Sequence, residues 1–293
     1  MTKQKLYIIL LFAACLHGEA KQAYGFDTVI HGADAAARGG TYLGANGTTQ
    51  PIFQNYAFLS QRAQPQAALS VFKLLNEVNY LTAAYTHGHF SLGVLSVQDS
   101  LGYLRDAQNN SRGRIGYSDT TLYAAYGLGG RKLSGGWRLK YNSKTYSEVG
   151  ASAQALSADL AASYRPHRLW TFGAQANNLL GGELRWSTGQ VEELTKTYGL
   201  GGKYQAAPNL DLYTDIRLEK NQPPLFSCGV EYNLARRVFL RGGFRQNNDL
   251  ILNTNFSAGL GFRWQGLSLD YAYNPDPDLG GNASHFVTLG WEL

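Results

Sequence analysis

The feature that most constrains this chain is a period of two, kept segment after segment from about residue 68 to the C-terminus. Leu210, Leu212, Ile216 and Leu218 fall on one side of a segment whose other side carries Asp211, Tyr213, Asp215, Arg217 and Glu219. Phe226, Cys228, Val230 and Tyr232 alternate with Ser227, Gly229 and Glu231. Phe256, Ala258, Leu260, Phe262 and Trp264 alternate with Ser257, Gly259, Gly261 and Arg263, and the last segment sets His285, Val287, Leu289, Trp291 and Leu293 on one face. Side chains point to opposite faces of a strand at each step, so this pattern predicts strands with one apolar and one polar side. No stretch sustains a helical period.

The pattern predicts fourteen strands: 68–75, 79–86, 89–98, 115–128, 132–144, 152–165, 168–178, 193–205, 209–220, 225–233, 237–247, 254–264, 267–274 and 284–293. Their connectors alternate in length. Tight turns at 129–131, 166–167, 206–208, 234–236 and 265–266 interleave with the mostly longer 99–114, 145–151, 179–192, 248–253 and 275–283. An even strand number with short turns at one end and long loops at the other is the layout of an outer-membrane barrel. Hydrocarbon offers no partner to a backbone N–H or C=O, so a sheet in lipid must close on itself. The expected fold is all-β, a 14-stranded antiparallel transmembrane barrel spanning 68–293. Tyr117, Tyr141, Tyr164, Tyr204, Trp264, Tyr273 and Trp291 are expected to form its interfacial girdles.

Composition agrees: 19 Tyr and 34 Gly among 293 residues with only 16% charged side chains argue for β structure. A mean hydropathy of −0.27 excludes a bundle of membrane helices but not a barrel, whose two faces cancel in the average. The net charge of +5 shows no cluster of Lys and Arg, so no nucleic-acid partner is expected.

Lys3 and Lys5 followed by the apolar run Leu6 to Ala14 predict an export signal over residues 1–25, with Ala23 and Gly25 suiting a cut before Phe26 and Gly18 and Ala20 offering a second cleavage position. Ala13-Ala14-Cys15 also has the form of a lipoprotein cleavage site, which leaves lipidation of Cys15 open. With Cys15 removed, Cys228 is the one thiol of the mature chain and no internal disulfide forms.

Several stretches resemble the PorV/PorQ group of FadL-like outer-membrane proteins. Ala36-Ala37-Arg38-Gly39-Gly40-Thr41-Tyr42 with Asn55-Tyr56-Ala57-Phe58-Leu59-Ser60 is similar to that group's N-terminal segment, although Tyr56 replaces its Pro and Gly39 stands where Met is common. Lys140-Tyr141, Ala158-Asp159-Leu160, Asn177-Asn178-Leu179, Gly229-Val230-Glu231-Tyr232, Leu240-Arg241-Gly242-Gly243-Phe244 and Leu269-Asp270-Tyr271 continue the likeness in order. The resemblance implies a plug, residues 26–67, folded inside the barrel and carrying Arg38, Asn55 and Tyr56. It implies either passage of a hydrophobic ligand or, as in PorV-like members, binding of secretion-system or cargo proteins through loops 99–114, 179–192 and 275–283.

By register the inward face carries Asp159, Asp215, Glu231, Arg241, Arg263 and Asp270, together with Arg138, Lys140, Asp211, Arg217, Glu219 and Arg245. Such a set either braces the wall and grips the plug or lines a polar path, with Arg241 and Arg263 the candidates to pair a ligand carboxylate. Phe26, Ile30, Leu43, Ile52, Phe53 and Phe58 of the plug either pack or line an apolar pocket. His87 and His89 have a metal-compatible spacing but no carboxylate or Cys partner in sequence. No nucleophile elbow surrounds any Ser, and the Gly-rich runs at 127–130 and 199–202 open no helix. The expectation is a monomeric non-enzyme in the outer membrane of a bacterial cell, without metal or cofactor, touching lipid.

Overall fold

The computed structural model describes residues 22–23, 30–74, 78–99, 103–105, 108–114, 116–147, 150–248, 252–275 and 283–293. The expected signal segment therefore lies outside the described residues, apart from a Gln22–Ala23 pair that runs parallel to Glu193–Leu194. Fourteen strands make the wall. They are β1 Gln66–Leu74, β2 Val78–His87, β3 Phe90–Asp99, β4 Tyr117–Gly129, β5 Leu133–Tyr146, β6 Ala151–His167 and β7 Trp170–Gly181. Then follow β8 Thr197–Ala207, β9 Leu210–Glu219, β10 Leu225–Leu234, β11 Val238–Asn248, β12 Leu252–Trp264, β13 Leu267–Pro275 and β14 Ala283–Glu292.

Each strand pairs antiparallel with its neighbours in sequence, and β14 pairs back onto β1 from His285↔Lys73 to Glu292↔Gln66, so the sheet is a closed barrel without an edge. Closure is what allows it to stand in lipid, since every strand finds partners on both sides. The short connectors share one end. Between β12 and β13 the turn consists of Gln265 and Gly266, both at positive φ (47° and 81°), the geometry that matches the twist of a two-residue hairpin.

The outer face is apolar and open. Leu122, Leu160, Leu260 and Leu289 are 47–54% exposed, where a soluble protein would bury them. Trp170 stacks on Tyr204 of the adjoining strand at 4.3 Å between ring centroids, and Trp264 and Trp291 also face outward at the short-turn end. Tyr117 departs from the girdle expectation. It faces inward with its hydroxyl 3.2 Å from Asp119, two residues on and so on the same side.

The long connectors are less plain than the sequence reading had them. Residues 103–105 and 111–114 pair as a small hairpin. Between β7 and β8, Glu183–Trp186 and Val191–Leu194 form another, seated on the upper end of β6. Glu192 and Glu193 pair inside that hairpin, which is why β8 begins at Thr197 rather than at 193. Where β7 turns toward it, the register against β6 slips between Ala176 and Leu180, and Asn178 takes φ 55°.

Residues 30–61 fill the barrel interior. A five-residue helix α1, Ala33–Ala37, lies against β11 to β14, and a 3-10 turn, Tyr56–Gln61, lies against β4 to β6. Four of the five residues of α1 are alanine because the helix packs flush on the wall. The wall is glycine where the plug crosses it. A Cβ on Gly173 would overlap the Leu43 carbonyl, and one on Gly243 would overlap the backbone of Arg38.

Candidate functional site

The inner wall differs in chemistry from side to side. On β8 to β13 it is charged, and most of the charges are paired, Arg217 being an exception whose Nε and Nη2 are unpartnered among the described residues. Arg38 of the plug donates from Nη1 to Glu231 Oε2 at 2.8 Å and from Nη2 to Asp34 Oδ2 at 3.1 Å. Glu231 also receives Arg241 Nε at 2.6 Å, and Arg241 Nη1 reaches Asp270 Oδ1 at 2.6 Å. Asp270 then takes Arg263 through both oxygens, at 2.9 and 2.8 Å, the fork geometry a guanidinium favours. One chain of alternating signs thus runs from the plug into the wall. Burial lowers the pKa of Arg38, but Asp34, Tyr213 and Glu231 raise it further, so the net shift is upward and the cation is held in the charged form.

Asp215 accepts two plug amides, Tyr42 N at 2.7 Å and Leu43 N at 3.0 Å. Across the barrel Asp159 is fully buried and accepts Arg138 Nη2 at 2.7 Å, Lys140 Nζ at 3.0 Å and the backbone N–H of Asn178 at 2.7 Å. Lys140 donates as well to Asn178 Oδ1 at 2.7 Å, and Arg138 to the plug carbonyl of Ile52 at 2.8 Å. The same carboxylate therefore holds the displaced turn of β7 and, through Arg138, the plug. Asn55 binds the plug to itself: Nδ2 donates to Leu43 O at 2.7 Å, while Oδ1 accepts Ala57 N at the start of the 3-10 turn. Tyr56 is buried with Arg138 over its ring at 4.9 Å.

Asp159, Asp215, Glu231, Arg241, Arg263 and Asp270 thus all stand on the inner wall, in contact with the plug or with one another except for Asp159, which reaches the plug through Arg138. Arg241 and Arg263 meet at Asp270, so the carboxylate they bind in this structure belongs to the protein itself.

The inner face of β14 through β4 sets an aromatic strip among buried hydroxyls such as Ser70, Thr82 and Thr288. Phe72 stacks between Tyr80 and Phe286 at centroid distances of 4.4 and 4.7 Å. Phe53 of the plug meets Tyr123 edge-on at 5.2 Å and His31 at 5.5 Å, and His31 approaches Phe72 at 6.5 Å. Ile52, Leu95, Val97 and Ala125 complete the cluster, which Val78 and Tyr117 extend toward the long-loop end. Sequence reasoning missed this strip. Its signal was present: Val71-Phe72 and Tyr80-Leu81 are apolar on both faces of their strands, where alternation calls for a polar lumen residue.

Among the described residues no three His, Cys, Asp or Glu side chains gather as a metal set. His89 Nδ1 lies 2.8 Å from the Gly127 carbonyl, and its ring stacks on Tyr126 at 5.8 Å.

No family model and no curated protein matches the sequence. Solved structures do match the fold. The toluene transporter TbuX of Ralstonia pickettii is similar at a TM-score of 0.62 and 13% identity, over 92% of this chain and 100% of that one. The toluene transporter TodX of Pseudomonas putida has a TM-score of 0.62 at 13% identity, over 90% and 98%. A FadL homologue of Pseudomonas aeruginosa reaches 0.57 at 10% identity, over 89% and 98%. The fold is FadL-like. That architecture is broader than the PorV/PorQ branch whose short segments the sequence resembles.

Proposed function

We propose that this chain is a monomeric bacterial outer-membrane barrel that admits a small hydrophobic molecule, with the short-turn end in the periplasm and the plug setting the route. The observation that carries this reading is the aromatic strip on one side of the lumen. An aromatic strip from Tyr123 and Phe53 through Phe72, Tyr80 and Phe286, buried against the plug, is an apolar lining in which an uncharged solute can leave water, while the opposite side is occupied with holding the plug. Support also comes from the likeness to barrels described as toluene transporters and to a FadL homologue. The chemistry required is desolvation and passage. The barrel uses no cofactor and makes or breaks no bond.

The test is uptake of a radiolabelled monoaromatic hydrocarbon and of a long-chain fatty acid by cells with and without the barrel. Faster entry of either solute, reduced several-fold by Phe72→Asn while the protein still shows the gel shift of a folded barrel, is the expected result. Equal entry of both solutes with and without the protein would end the transport reading.

A further inference from the structure

A recess of about 390 Å³ lies at the short-turn end, between the plug loop at 47–49 and the turns that follow β10 and β12. It lies apart from the apolar strip and shares only Arg263 with the chain of paired charges. Three guanidinium groups reach its lining, Arg62, Arg237 and Arg263, against one carboxylate, Glu292. Arg263 is engaged by Asp270, but the other two are not neutralised by contact. Arg62 donates only to the Thr48 carbonyl and, at 3.2 Å, to Gln66 Oε1, both neutral acceptors. Burial is the largest influence on Arg62 and lowers its pKa; Glu292 and Asp34 raise it, Arg263 lowers it, and the net shift is downward. Its cation is thus under-compensated. Arg237 stands exposed on the turn after β10 without an ion pair among the described residues.

Two buried hydroxyls line the same recess. Thr49 and Ser268 are 4% and 5% exposed, yet neither Oγ1 nor Oγ has a hydrogen-bond partner. Buried polar atoms are ordinarily satisfied, so two orphaned donors beside two unneutralised cations point to a missing acceptor. We propose that this recess binds an oxyanion, a carboxylate or phosphate monoester, presented at the periplasmic mouth by an amphiphilic solute, a lipid headgroup or free phosphate. The guanidinium groups supply charge and forked donors, and the hydroxyls supply short neutral ones.

Calorimetric titration of the whole protein in neutral detergent, with inorganic phosphate, decanoate and decanol as probes, tests the site. The expected result is an anion that binds more tightly than decanol and loses about tenfold in affinity on Arg237→Gln or Ser268→Ala. Arg236→Gln removes the same charge from the same turn but outside the lining and leaves affinity within about twofold. Decanoate binding without phosphate binding assigns the site to an acidic amphiphile. Phosphate binding assigns it to a headgroup where dihexanoyl phosphatidate displaces the phosphate, and to free phosphate where it does not. Anions that bind no better than decanol, or an affinity that both variants leave unchanged, overturn the site. Because the readout is binding and not uptake, its failure is distinct from failure of the transport reading.

Discussion

Single carboxylates hold the plug to the wall, directly or through an arginine, and each has a separable role. Asp159 gathers two cations and a backbone N–H at zero exposure. Removing one member of a buried charge cluster leaves the others uncompensated at a cost of ~3–5 kcal/mol. Asp159→Ala is expected to lower the unfolding free energy of the barrel in lipid vesicles, measured by urea titration, by that much, and Asp159→Asn, which keeps the acceptor, by less. Asp215 acts on the plug alone, through the amides of Tyr42 and Leu43. Hydrogen bonds to a charged acceptor are each worth ~1.5–3 kcal/mol. Asp215→Leu should therefore accelerate amide exchange at residues 42–43 by tenfold or more while wall amides stay protected. Unchanged plug exchange would show that the carboxylate does not pin it. The inward set was legible residue by residue, because parity along a strand fixes which side a residue occupies. Which of them meet was not legible: Arg241 and Arg263 stand on β11 and β12, and it is Asp270, across on β13, that brings them together.

At the scale of elements, plug and wall are shaped to each other. The wall is glycine where the plug backbone touches it, at Gly173 under Leu43 and at Gly243 under Arg38. Gly173→Val should lift the plug and cost ~1–3 kcal/mol of overpacking, seen as new protease cleavage within residues 30–61 of the folded barrel. An uncut plug would mean that β7 yields instead. The strands themselves were read closely from the sequence, most bounds falling within two residues, because alternation is a local property set by backbone geometry. The short hairpins at 103–114 and 183–194 and the slip in β7 were not. The second hairpin and the slip are decided by what lies beside them on β6 and by the grip of Asp159 on Asn178, while among the described residues the first pairs only with itself.

As a whole molecule the barrel turns leucine outward and ion pairs inward. An arginine at the middle of the outer belt costs ~2–4 kcal/mol. Leu260→Arg is thus expected to lower folding free energy into vesicles by that amount, measured by urea titration, and an unaffected protein would mean Leu260 does not face acyl chains. With residues 30–61 filling the lumen, planar bilayers holding the protein should show no steady porin-like current; sustained conductance would mean the plug leaves. By itself the sequence determined strand number, that the short turns share one end, and the side on which most wall residues stand, Tyr117 being an exception, because a period of two is imposed on any extended chain and hydrocarbon rewards only one way of closing it. Tertiary structure alone decided that an aromatic strip gathers on one side of the lumen, and that three arginines share a recess at its mouth. Those neighbours are tens to hundreds of residues apart, and only ring closure and the seating of the plug bring them within contact distance.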